Sequence, residues 1–294
     1  MELYAPQEIN GAKLLGVFEP GTSAWHEARA DGIGGSEIGT IMGLNPWESA
    51  FTLFHKKSGN IPQPELDSFA VWRGNAYEEP LLNYFQSRHP ELTVYQTGTY
   101  GHATIPYLHA NPDAIAVHKE TGELFVIEVK TSRSSWSEIP PHYMAQVQHY
   151  LDVLEIKNAY LIGDVDSAWV ELQVTYDSFE ADNQRMMAMQ FWNGVTEATA
   201  PSWDGSQSTY ETIRQLHPLI EDREVEIDGG HTLLLAQESY EKALAEFTQV
   251  KSEILDLMGT AKHAYVEHDG ERFRIASRQA RGGGSPYLVI KRSK

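Results

Sequence analysis

The stretch HANPDAIAVHKETGELFVIEVKTS, residues 109–132, decides how the rest of the chain is read. Leu124, Phe125, Val126 and Ile127 have the pattern of a strand, and Thr121-Gly122 before them reads as a turn. A reversal at that turn makes an antiparallel hairpin and sets Asp113 roughly opposite Glu128 and Lys130. Side chains alternate across a strand, so Glu128 and Lys130 share one face and Val129 takes the other. Two carboxylates and an ammonium then converge on one spot. An isolated Glu-x-Lys is most simply a salt bridge on the wet face of a sheet. Here the strand is apolar around Glu128, and charges taken out of water need a partner or a metal. Asn111-Pro112 supplies a kink where the second carboxylate is required. Two carboxylates and a backbone carbonyl suit a hard cation such as Mg²⁺. Lys130 is then free to orient or deprotonate a water, or to steady the charge of a transition state.

The chain has 294 residues, 41% hydrophobic and 11% aromatic, enough for one large globular domain or a domain with an appendage. It has no cysteine, which removes disulfide frameworks and thiolate zinc sites. The opening MELYAPQEINGAKLLG lacks the basic start and apolar core of a signal peptide, and no run approaches membrane-spanning length. The cytoplasm is the expected location. A net charge of −18 argues against a nonspecific nucleic-acid coat protein, because phosphate affinity comes from Lys and Arg. The charge is uneven, however. Residues 271–294 hold Arg272, Arg274, Arg278, Arg281, Lys291, Arg292 and Lys294 against Glu271, a local +6 that leaves −24 elsewhere. Any polyanion is steered to particular places on such a surface.

Ser23 is the expected cap of a short helix AWHEARA, and Ser36, after the glycines of GIGGS, of a second, EIGTIMG. Asn45-Pro46 is a turn before a helix in SAFTLFHKKSG. Residues 69–88 have a longer helical pattern that Gly74 and Pro80 should interrupt or bend. Strands are expected around 92–118 and 124–131, a helix in PPHYMAQVQHYLDVLEI, two strands in NAYLIGDV and AWVELQVTY, and a closing helix in SFEADNQRMMAMQFWNGV. This order predicts an α/β fold with a mixed, largely antiparallel central sheet flanked by helices, occupying residues 1–200. ATAPSWDGSQST reads as a linker. An appendage over 210–294 follows: an amphipathic helix at 232–258 ending at Gly259, then a basic β-hairpin turning at His268-Asp269-Gly270. Trp25, Trp47 and Trp72 are expected in the core.

Four blocks carry a family resemblance: Asn111-Pro112-Asp113 with Glu128-Val129-Lys130; RADGIGGSEIGTIMGLNPW; RGNAYEEPL; and PHYMAQVQHYL. The first resembles the signature of the PD-(D/E)XK nuclease superfamily. Together, in this order across about residues 23–165, they resemble the lambda-exonuclease-like, YqaJ-type phage recombinase nucleases. The resemblance implies a restriction-endonuclease-like core. It also implies Mg²⁺, with Mn²⁺ as a substitute, held by Asp113, Glu128 and the carbonyl of Val129, two ions per site about 3.5–4 Å apart, and Lys130 beside the attacking water. It places Glu78, preferred to Glu79, at a second ion, and Gln146 in the active site, where a neutral amide holds a water or phosphate oxygen. Gln148, two positions on, is expected to face elsewhere. Arg29 and Ser36 match a pocket for a 5′-phosphate, in keeping with an arginine fork beside a helix start, although a lone serine there is ordinarily a cap.

The activity implied is 5′-to-3′ digestion of one strand of linear double-stranded DNA by a homotrimeric ring. Its partner would be a single-strand annealing protein, in the cytoplasm of a phage-infected or lysogenic bacterium. A same-fold endonuclease on internal or branched DNA, and a DNA-end-binding module that does not cut, are the alternatives. The intact Asp113, Glu128 and Lys130 weigh against the second. The C-terminal helix and basic hairpin lie outside the resemblance.

Overall fold

The computed structural model describes residues 1–19, 21–62, 68–280 and 282–291. It divides into two units, Met1–Ile220 and Glu221–Lys294.

The first unit opens with β1 (Glu8–Ile9) and β2 (Ala12–Gly16), turning at Asn10 and Gly11, both with positive φ. Helix α1 (Ser23–Ala30) is capped by Thr22, whose hydroxyl accepts the Trp25 N–H, so Ser23 is its first residue and not its cap. β3 (Ile33–Gly34) runs straight into α2 (Gly35–Ile41). Gly34 is the N-cap because the Glu37 carboxylate reaches back to its N–H at 2.9 Å, so Ser36 lies within the first turn. α3 (Ala50–Lys57) is capped by Ser49. α4 (Phe69–Arg88) continues as one helix through Gly74 and Pro80, so neither interrupts it. Leu82 and Phe85, buried just beyond the proline, hold its second half on the sheet, and that packing offsets the lost backbone bond.

Next come β4 (Leu92–Tyr95), β5 (Thr99–Gly101), β6 (Leu108–Ala110), β7 (Ala114–His118), β8 (Leu124–Ser132), α5 (Pro141–Val153), β9 (Asn158–Val165), β10 (Ala168–Thr175) and α6 (Ser178–Thr196). The central sheet has the order β10-β9-β8-β7-β4. β8 and β9 are parallel, bridged by α5, and the other pairs are antiparallel. The expected mixed, largely antiparallel sheet flanked by helices is what forms. Residues 92–118 do not all enter it: β5 and β6 belong to a second five-stranded sheet, β1-β2-β5-β6-β3, that was not foreseen.

One face of the central sheet puts Val126, Ala159 and Leu161 against Val147 and Leu151 of α5. The other puts Ile127, Val129 and Ile162 with Leu82 and Phe85 of α4. Each of these side chains other than that of Ala159 stabilises the fold by about 1.5–3 kcal/mol. Gly163 lies opposite Lys130, and a methyl group at that position would fall on the Lys130 carbonyl. The two strands can approach at the lysine only because residue 163 has no side chain.

Another helix, α7 (Gln207–Leu216), begins in the last residues of the expected linker, continues beyond it and is part of the first unit. Residues 210–220 therefore go with the core and not with an appendage. Thr52 and Ser49 of the α3 end share hydroxyl hydrogen bonds with Ser208, Thr209 and Thr212, which fastens α7 down. Two tryptophans also depart from expectation. Trp25 is half-buried, but Trp47 and Trp72 are 70% and 62% exposed, the first edge-on to His142 and the second stacked on Phe69.

The second unit has α8 (His231–Leu257), with Tyr240, Leu244, Phe247 and Val250 exposed along it, and a sheet β11 (His263–His268), β12 (Glu271–Gln279), β13 (Tyr287–Ile290). The turn falls at Asp269-Gly270 as expected, but a third strand extends the hairpin. Of the basic residues read there, Arg281, Arg292 and Lys294 lie outside the described residues.

Candidate active site

The hairpin β7–β8 sets the site. Ala114 pairs with Ile127, which brings Asp113, just before β7, level with Glu128. The Asp113 carboxylate accepts the Val129 N–H at 2.7 Å, so the aspartate is latched to the strand that carries its partner. Glu128 points to the α5 side and is 2% exposed. Its Oε1 accepts the Lys130 ammonium at 2.6 Å and the Gln146 amide at 2.6 Å. Its Oε2 is buried with no hydrogen-bond partner. One carboxylate oxygen is thus doubly held and the other bare, an arrangement that costs free energy unless a cation or proton takes the bare oxygen.

The electrostatics agree. Burial and the neighbouring Asp113 push the Glu128 carboxyl up to about 8, against the pull of Lys130. Glu78, half-buried on α4, is raised to about 7 by burial and by Asp113. Burial also raises Asp113, with Lys130 and the Val129 N–H opposing. Lys130 loses some basicity to burial but gains more from Glu128 and Asp113, and its ammonium also lies 4.9 Å from the Tyr143 ring centre. Three carboxylates therefore repel one another around a single lysine.

Asp113, Glu128, Lys130, Gln146, Arg29 and Ser36 all line one cleft of about 230 Å³. Glu78 is not among its lining residues, although its charge is felt there. Glu79, its neighbour on α4, is exposed. Gln148 faces away, donating to the Thr175 carbonyl and accepting the Asp177 N–H. Arg29 donates to Ser36 Oγ at 3.3 Å and to Glu37 at 3.5 Å, with its guanidinium 4.8 Å from the Trp25 ring centre.

The donors fit a hard divalent ion: oxygens only, one of them buried and bare. Among the described residues no three His, Cys, Asp or Glu side chains stand grouped as a ready-made ligand set, and Asp113 and Glu128 are the carboxylates that line the cleft.

Three residues were missed in the sequence. Tyr150 accepts from Gln146 at 3.1 Å, and burial raises its hydroxyl well above its ordinary pKa. Its spacing of four from Gln146 on α5 was a readable signal. Glu37 and Lys57 form a buried pair 2.8 Å apart beneath Arg29. The signal for Glu37 was its capping position, three after Gly34, but nothing local marks Lys57, on a different helix.

The model of the YqaJ-like viral recombinase domain matches residues 24–159, a span that takes in Arg29, Ser36, Glu78, Asp113, Glu128, Lys130 and Gln146. The chain is 30% identical over 250 residues to the uncharacterized protein YqaJ of Bacillus subtilis (strain 168), covering 81% of this chain and 74% of that one. It is 26% identical over 152 residues to protein D345L of African swine fever virus (strain Badajoz 1971 Vero-adapted), 43% of this chain and 44% of that protein. Among solved structures, the alkaline exonuclease LHK-Exo of Laribacter hongkongensis superposes with a TM-score of 0.50 at 15% identity, covering 60% of this chain and 94% of that one. Its complex with dAMP gives 0.51 at 16%. The core shares the PD-(D/E)XK fold of these enzymes.

Proposed function

The chain belongs to the YqaJ-like viral recombinase family, and on that footing we propose that it is a metal-dependent deoxyribonuclease that digests one strand of linear duplex DNA from its 5′ end. The observation that carries the reading is the bare, buried Glu128 Oε2, set beside Asp113 and Lys130 in the cleft that also receives Arg29. A buried carboxylate oxygen without a donor is an arrangement that a bound cation would satisfy. The likeness in fold to an enzyme described as an alkaline exonuclease points the same way.

Asp113, Glu128 and the Val129 carbonyl would hold Mg²⁺, or Mn²⁺ in its place, with Glu78 toward a second ion. The bound metal supplies Lewis-acid stabilisation of the charge on the phosphodiester oxygens. Lys130 acts as a cationic donor that fixes Glu128 and steadies the developing negative charge, because its carboxylate neighbours favour the ammonium form. Gln146 spends its N–H groups on Glu128 and Tyr150 and keeps its carbonyl to orient a water. Arg29 and Ser36 bind the terminal 5′-phosphate and set the reading frame of digestion. A homotrimeric ring around the duplex, a single-strand annealing protein as partner and a cytoplasmic site of action complete the proposal.

The test is a linear duplex labelled separately at each 5′ end, with and without 5′-phosphate, beside a closed circle, in Mg²⁺. Shortening of linear DNA from phosphorylated 5′ ends with the circle intact is the expected result. A cut circle would replace the exonuclease by an endonuclease, and bound but uncut ends would remove the catalytic assignment.

A further inference from the structure

Lys57 has a side chain only 1% exposed, an unusual place for an ammonium. It reaches from α3 to Glu37 Oε2 at 2.8 Å, to the Gly32 carbonyl at 2.5 Å and to the Arg29 carbonyl. The same Glu37 oxygen accepts the Gly34 N–H, while Glu37 Oε1 meets the Arg29 guanidinium at the longer distance of 3.5 Å. Burial alone would raise the Glu37 carboxyl, but Lys57, Arg29 and the Gly34 N–H together bring it below its ordinary value. Glu37 is therefore a buried carboxylate shared unequally between two cations, with the inaccessible one nearer.

The charge count shows what this arrangement accomplishes. Arg29 and Glu37 alone would sum to zero and close on each other as a salt bridge, leaving little attraction for an anion. With Lys57 present the three sum to +1. Glu37 is satisfied from below, and the guanidinium, which has five N–H donors in a fixed fork, keeps most of them for the cleft. A helix cap needs Glu37 but not Lys57, and a buried ion pair is weak reason for stability by itself.

We propose that the Lys57–Glu37 pair is a positioning device that keeps Arg29 from collapsing onto Glu37 and so sets how strongly the cleft takes a terminal phosphate; this rests on the reading of Arg29 as a 5′-phosphate residue. Neither Lys57 nor Glu37 touches the substrate. Their effect is on the recognition of the phosphate, not on the hydrolytic step.

The experiment compares wild type, Lys57→Met, Glu37→Gln and the double variant Lys57→Met/Glu37→Gln. For each, kcat and KM are measured on linear duplexes ending in 5′-phosphate or 5′-hydroxyl, with thermal melts to establish folding. Lys57→Met should raise KM for the phosphorylated end and lower the phosphate-to-hydroxyl preference by about tenfold or more. Glu37→Gln should keep the preference, and the double variant should recover it to within a few-fold of wild type, since no carboxylate remains to capture Arg29. A merely structural pair predicts the reverse order, the double variant being at least as impaired as Lys57→Met. An unchanged preference in folded Lys57→Met, or a double variant without it, overturns the inference. If Lys57→Met does not fold, the double variant decides in the same sense. A wild type that cuts but ignores the phosphate overturns the Arg29 reading and this inference with it, whereas a discriminating wild type with an indifferent Lys57→Met overturns this inference alone.

Discussion

Glu128 concentrates the forces in this molecule: a carboxylate at 2% exposure, flanked by Asp113 and within reach of the charge on Glu78. In the metal-free protein its carboxyl lies at about 8 and that of Glu78 at about 7, both above the ordinary 4.5. A carboxyl raised on folding binds protons that the unfolded chain has already released, so stability contributed by this cluster is present at low pH and is lost as pH rises through the folded values. The melting temperature of metal-free protein should therefore fall between pH 6 and pH 9. A divalent ion replaces the proton, so Mg²⁺ should raise the melting temperature more at pH 9 than at pH 6. Melts in EDTA and in Mg²⁺ across that range check both statements; a metal-free midpoint that climbs with pH contradicts them. Glu128→Gln sharpens the point. It should make metal-free protein more stable at pH 9, abolish the Mg²⁺-induced shift and reduce cleavage by about 100-fold or more. The Asp113, Glu128 and Lys130 convergence was legible because a period of two and a single turn fix it. Lys57 was not, because nothing but the packing of α3 against the α1–α2 turn brings it there.

At the scale of elements, β8 and α5 carry the site, and the contact between β8 and β9 holds Lys130 in register. Gly163→Ala should force the strands apart at Lys130, costing about 3 kcal/mol or more and impairing activity beyond the loss of fold, which urea denaturation alongside turnover of the folded fraction would reveal. A substitution tolerated in both would show that the strands are not pressed together there. In α3, Thr52→Val removes a hydroxyl that meets Ser208 and Thr212. It should cost about 1–3 kcal/mol by leaving buried partners unmet, with little change in catalysis. The sequence showed β8, α5 and β9 well because each is long and patterned. The second sheet escaped notice because its strands span two to five residues, too short for a period to emerge. α7 went unread because its start, Gln207 to Thr209, looks like linker until the hydroxyls of α3 are brought opposite Ser208 and Thr209. Pro80 misled for a related reason: propensity argues locally, whereas Leu82 and Phe85 anchor α4 from beyond the proline.

For the whole molecule, the +6 carried by residues 271–294 against −24 elsewhere, in a chain totalling −18, leaves few routes for a polyanion. DNA binding should be steered and strongly weakened by salt. No helix among the described residues is long and apolar enough to cross a membrane. A ring of three chains would have a mass of about 99 kDa, three times 33.1 kDa. Light scattering on the eluted protein tests this, and a monomer mass would remove the ring from the account. Whether the carboxylates around Glu128 serve metal-dependent DNA hydrolysis is tested by the single-turnover rate of strand loss from a 5′-phosphorylated linear duplex in Mg²⁺, in EDTA, and in Mg²⁺ with Lys130→Ala. Cutting is expected in the first condition alone. Equal cutting in EDTA, or a fully active Lys130→Ala, would contradict it.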